Sequence, residues 1–175
     1  MFQPETAGHL DVLFQTLLHN PHPTLSAGER ELIAAYVSRP KACKYCCKVH
    51  GAIAQPHFSS NTEIMKQVLS NPETAPISNK LKALLKIASK VQNEGRDMTP
   101  EDVEFARREG ATDTEINDTI LIAAAFCMYN CYVYGLTRWE ADNEQLFDNT
   151  NGEVALDSYS ATVFEFNAAE ELIDG

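Results

Sequence analysis

An all-helical protein is predicted by three features of the sequence. Caps, prolines and glycines punctuate it at helical lengths, apolar residues recur at spacings of three and four, and no stretch alternates as a strand would. The 175 residues suit one domain with a short appendage. With 44% hydrophobic and 22% charged residues, the chain can bury a core. Disulfide-stapled, collagen-like and wholly disordered classes are thereby excluded.

Leu10, Val12, Leu13, Leu17 and Leu18 give a first helix a broad apolar face, and Pro21 and Pro23 stop it. Ser26 and Glu29 have capping-box spacing for a second helix that ends before Pro40. A third is expected from Cys43 to Ala54, closed by Pro56, and a short fourth from Asn61 to Leu69. The fifth, Asn79 to Glu94, stops at Gly95, and the sixth, Pro100 to Glu109, has Thr99 as its cap and proline at its first position.

Thr112 and Glu115 form another capping box, opening a seventh helix that can run to Trp139. Within it, Ile120 to Leu136 is a seventeen-residue apolar run broken by Asn130, just short of a membrane span. Its polar flanks favour a helix at the buried centre of the fold. Tyr129, Tyr132, Tyr134 and Trp139 are expected to pack the core or a subunit interface.

The net charge of -11 is unevenly distributed. Residues 1–138 hold all fourteen basic side chains with fifteen acidic ones, whereas residues 139–175 carry ten carboxylates and no Lys or Arg. This divides the chain into a helical domain, residues 1–142, and an acidic C-terminal tail or docking arm, residues 143–175, where Val163, Phe164 and Phe166 add apolar side chains. The acidity repels phosphate backbones and anionic lipid, so neither nucleic acid nor membrane is expected as a partner. Glu5, His9 and Asp11 interrupt the opening stretch, which predicts a cytoplasmic protein with its five cysteines reduced.

The chemistry is concentrated in Cys43-Lys44-Tyr45-Cys46-Cys47-Lys48-Val49-His50, directly after a proline break at an expected helix start. At about 100° per residue, Cys43, Cys46 and His50 share one helix face. The helix dipole stabilises a thiolate in the first turn, and His50 can accept a proton from Cys46 at i+4. A nucleophilic thiol, a base and a second thiol able to resolve an oxidised sulfur stand together.

Glu31, eleven residues, Cys43-x-x-Cys46, three residues and His50 resemble the signature of the alkylhydroperoxidase D-like (AhpD-like) family of the carboxymuconolactone decarboxylase superfamily. All four positions match in spacing. The likeness extends through Leu25 to Ala54 and, more loosely, Leu81 to Leu136. It implies an AhpD-like multi-helix bundle, oligomeric, that reduces hydroperoxides with electrons from a thiol or lipoyl-type donor and without metal, haem or other cofactor. Cys46 then resembles the peroxidatic cysteine, Cys43 the resolving one, and Glu31 with His50 the proton relay. Tyr45 stands where the best-characterised members carry a second histidine, a departure that touches the relay and the preferred substrate.

Two other readings compete. A lactone decarboxylase of the same superfamily would need no cysteine pair. A zinc or interaction module would use Cys43, Cys46, His50 and His57, though structural zinc pairs usually sit on a knuckle and bring a second pair. Cys47, Cys127 and Cys131 are expected to pack as small apolar residues, and His9, His19, His22 and His57 have no evident sequence partners.

Overall fold

Seven α-helices, and no strand, form among the described residues of the computed structural model, which are 4–22, 24–40, 44–58 and 63–139. They are α1 (Pro4–Leu18), α2 (Ala27–Ser38), α3 (Lys44–Phe58), α4 (Glu63–Ser70), α5 (Asn79–Gln92), α6 (Pro100–Arg108) and α7 (Asp113–Trp139). A single 3-10 turn, Pro72–Thr74, links α4 to α5. The expected tail, residues 143–175, and Cys43 lie outside the described residues.

The helix starts follow local chemistry. At α2, Ser26 Oγ accepts from Glu29 N at 3.2 Å while Glu29 accepts from Ser26 N at 2.9 Å. Thr112 and Glu115 repeat this reciprocal arrangement at α7, and at α6 Asp102 accepts from both Thr99 N and Thr99 Oγ1. Ser78 accepts from Leu81 N at the start of α5. After α5 the backbone turns left-handed at Glu94 and Gly95, and Gly95 N donates to Lys90 O, satisfying a terminal carbonyl.

α2 is the hub of the bundle. It packs most extensively on α3 and also on α7 and α5, so nine of its twelve residues are buried. The core joins Phe14 and Leu18 of α1 to Leu32, Ile33 and Val37 of α2, Leu81, Leu84, Leu85 and Ile87 of α5, and Ile122 and Phe126 of α7. Where α2 crosses α3, a Cβ on Gly28 would lie 2.2 Å from the Cβ of His57, so only glycine permits this approach.

Two expectations are corrected here. Pro56 does not close α3, which continues to Phe58. A proline this close to the end removes one hydrogen bond from the last turns, and packing of Phe58 against the core favours continuation. The second correction concerns α7, which is buried on one face only. Ile116, Thr119, Ile122, Ala123, Phe126 and Asn130 point inward, while Leu121, Met128 and Tyr132 are 40 to 47% exposed. By length and composition Asp113–Val133 could cross a membrane, with a third of it buried in the bundle. Among the described residues the other helices meet one side of α7 and leave apolar side chains exposed on the opposite side.

Candidate active site

Three helices converge on one carboxylate. Glu31, in the first half of α2, is 1% exposed, and His50 of α3 is fully buried. His50 Nδ1 donates to Glu31 Oε2 at 2.6 Å, a charge-assisted bond that orients the ring. The His50 and Phe126 rings, the latter on α7, are nearly perpendicular at 88° with centroids 4.7 Å apart, and Phe14 of α1 lies 6.0 Å away. Cys46 is one turn before His50 on α3 and is also fully buried. The structure thus brings Glu31 and His50 into contact where α2 packs on α3, with Cys46 one turn away on α3.

The other carboxylate oxygen is occupied by a residue for which the sequence showed no partner. His19, just beyond the end of α1, places Nε2 3.1 Å from Glu31 Oε1 and Nδ1 2.7 Å from Gln15 Oε1. Gln15 Nε2 in turn donates to Asp11 at 3.5 Å, which sets the orientation of the amide. The only sequence trace of this arrangement is the helical spacing of Asp11, Gln15 and His19. Nothing local links it to Glu31, twelve residues on.

Burial pushes the Glu31 carboxyl up, but the hydrogen bonds from His19 and then His50 outweigh it and hold the carboxyl below the ordinary carboxylate range. Glu31 is therefore an ionised acceptor at neutral pH. Cys47 presents a contrast on the neighbouring face of α3. Burial pushes its thiol up, against a smaller opposing effect of Arg39, so it stays protonated and unreactive. Cys47, Cys127 and Cys131 are free thiols.

His22 also has a partner that its local sequence does not reveal. Its Nδ1 accepts from Leu25 N at 2.8 Å and its Nε2 donates to Asp118 of α7 at 2.8 Å, pinning the α1–α2 loop. His57 is exposed near the end of α3, two turns from His50, and its Cβ is the atom against Gly28. Among the described residues, no group of three or more His, Cys, Asp and Glu side chains is placed to hold a metal ion.

The sequence matches no protein-family model and no curated relative. Two solved structures are similar. One is an uncharacterized peroxidase-related protein from Silicibacter sp. TM1040, at 26% identity and a TM-score of 0.69. The other, from Ralstonia eutropha JMP134, is described as an alkylhydroperoxidase AhpD core and uncharacterized peroxidase-related protein, at 28% identity and a TM-score of 0.70. Each likeness covers 76% of this chain and 69% of the other.

Proposed function

We propose, for a chain that by these likenesses in fold and sequence belongs to the AhpD-like family, that it is a thiol-dependent peroxidase reducing hydroperoxides through Cys46 and Cys43. The observation that carries this reading is the buried Glu31–His50 pair one helical turn from Cys46. A thiol at this position has a base at hand, and the base is held by a carboxylate that stays ionised.

In the proposed reaction, His50 takes the proton of Cys46 through Nε2, the ring nitrogen that Glu31 does not hold. The Cys46 thiolate attacks the terminal peroxide oxygen and the O–O bond breaks. His50 returns a proton to the departing alkoxide, which leaves as an alcohol. Cys46 is now a sulfenic acid. The Cys43 thiolate attacks that sulfur, expelling hydroxide that leaves as water, and the Cys43–Cys46 disulfide forms. A dithiol donor of the lipoyl type restores both thiols by exchange and is itself oxidised to a disulfide. The chemistry belongs to a reducing compartment such as the cytoplasm.

The exposed apolar face of α7 makes the protein a homo-oligomer in this reading, with Leu121, Met128 and Tyr132 at the contact. Light scattering should give more than one subunit at micromolar concentration, and a strict monomer would count against it.

Mass spectrometry of the reduced protein after one equivalent of hydroperoxide tests the chemistry. Cys46→Ser should abolish consumption. Cys43→Ser should consume about one equivalent and accumulate a dimedone-trappable sulfenate at Cys46. A silent Cys43→Ser beside a reactive Cys46→Ser would reverse the roles, and consumption unchanged in both would overturn the reading.

A further inference from the structure

The two histidines on Glu31 are not equivalent. A buried carboxylate whose only partner is one imidazole favours the protonated ring, and a protonated ring cannot accept a proton from a thiol. His50 works as a base only if something else carries the positive charge that Glu31 requires. His19 is in position to do so.

Both His19 nitrogens face acceptor oxygens, Nε2 the Glu31 carboxylate and Nδ1 the Gln15 amide oxygen. The form that satisfies both is the doubly protonated imidazolium. His22 makes the comparison within the same loop. Its Nδ1 meets backbone N–H groups and its Nε2 a carboxylate, so a neutral ring suffices. His19 is also the outward end of the cluster, 23% exposed where Glu31 is 1% and His50 is 0% exposed, so water can help to solvate its charge.

We propose that His19 is a positioning residue of the Cys46 site, supplying the countercharge that keeps Glu31 ionised while His50 remains neutral and free to act as the base. The proposal rests on the reading of His50 as the base of Cys46, and not on the identity of the oxidant.

Among the described residues, the charged and titratable neighbours are these. α1 brings Asp11 through Gln15, and α2 brings Arg30, which interacts electrostatically with Glu31 without the direct hydrogen bond that His19 makes to it, and whose Nη1 donates to Leu17 O. α3 brings His50 and Cys46. α7 brings Asp118, whose charge acts on Arg30, and Tyr129, whose hydroxyl donates to Leu10 O. With His19 removed, the Glu31–His50 pair keeps a proton, on either member, to higher pH, and an unprotonated base for Cys46 is available only above it. Base-assisted removal of the Cys46 proton therefore moves to higher pH.

The test is the rate of Cys46 alkylation by iodoacetamide against pH in the reduced full-length protein, read by mass spectrometry, with peroxide consumption measured in parallel. His19→Ala should move the acidic limb upward by roughly half a pH unit or more and leave the high-pH rate nearly unchanged. His19→Gln can still donate to Glu31 but carries no charge, and its limb should move with that of His19→Ala. A limb that stays in place in both variants, at unchanged helical circular dichroism, would overturn the proposal. So would a wild-type limb in His19→Gln, which would make a neutral hydrogen bond sufficient, or a uniform loss of rate without a shift, which would mark a packing role. A moved limb in a protein that consumes no peroxide would sink the peroxidase reading and leave His19 its role.

Discussion

Glu31 and His50 are nineteen residues apart and on different helices, yet their side chains meet at 2.6 Å with both almost completely buried. Such a pair is expensive to bury, and a packed apolar pair would serve stability as well. Its placement one turn from a buried cysteine is what supports the proposed chemistry, and the rings of Phe14 and Phe126 pack against His50 on its apolar side.

Removing either member should affect the thiol in the same direction. His50→Ala is expected to slow Cys46 alkylation at neutral pH by about 100-fold, recovering as pH rises and the thiolate forms unaided. Glu31→Gln should cost roughly tenfold, because the ring keeps an acceptor but loses its charge. Rates across pH 5 to pH 10 on the order of one-unit steps check both.

Gly28→Ala should separate α2 from α3. The added methyl meets the Cβ of His57, which cannot rotate away because it moves only with its helix. The expected loss is about 1–3 kcal/mol in denaturant unfolding, together with slower Cys46 alkylation, since Glu31 lies one turn from Gly28 on the same helix. Gly51→Ala, where a Cβ would meet nothing within 4 Å, is the matched control and should be tolerated.

Asp102 is expected to make stability acid-sensitive. Its carboxyl accepts from Lys90 at 2.6 Å and from Thr99 N and Oγ1, and these bonds hold it down at about 2. A lowered folded-state value means stability that is present above the ordinary carboxylate range near pH 4 and lost as pH falls toward 2. Asp102→Asn should therefore lower stability by about 1–2 kcal/mol at pH 7 and by little near pH 2. Urea midpoints of the two proteins against pH measure the convergence.

Phe126 links the core to the imidazole. Phe126→Ala should destabilise by about 3–5 kcal/mol as a buried ring is deleted. Phe126→Leu should cost less, about 1–2 kcal/mol, and retain the fold. In that variant the ring-carbon protons of His50 should lose the ring-current shift of an aromatic ring centred 4.7 Å away, which nuclear magnetic resonance reads directly.

The sequence by itself determined the helices, the caps of several of them, and that Cys46 and His50 share one face of α3. Ser26 with Glu29 and Thr112 with Glu115 bond across three residues, and Cys46 with His50 are four apart on one helix, so these relations follow from chain geometry without any knowledge of packing. Glu31 was legible only through a spacing shared with a family, since no local rule links α2 to α3. Tertiary structure alone decided that His19 would take the other oxygen of Glu31, that α3 would run through Pro56, and that the described helices would cover α7 on one side. Each depends on how helices distant in sequence cross. Those crossings are set by all the packed side chains together, down to the missing Cβ of Gly28, and therefore leave no periodic trace in any one segment.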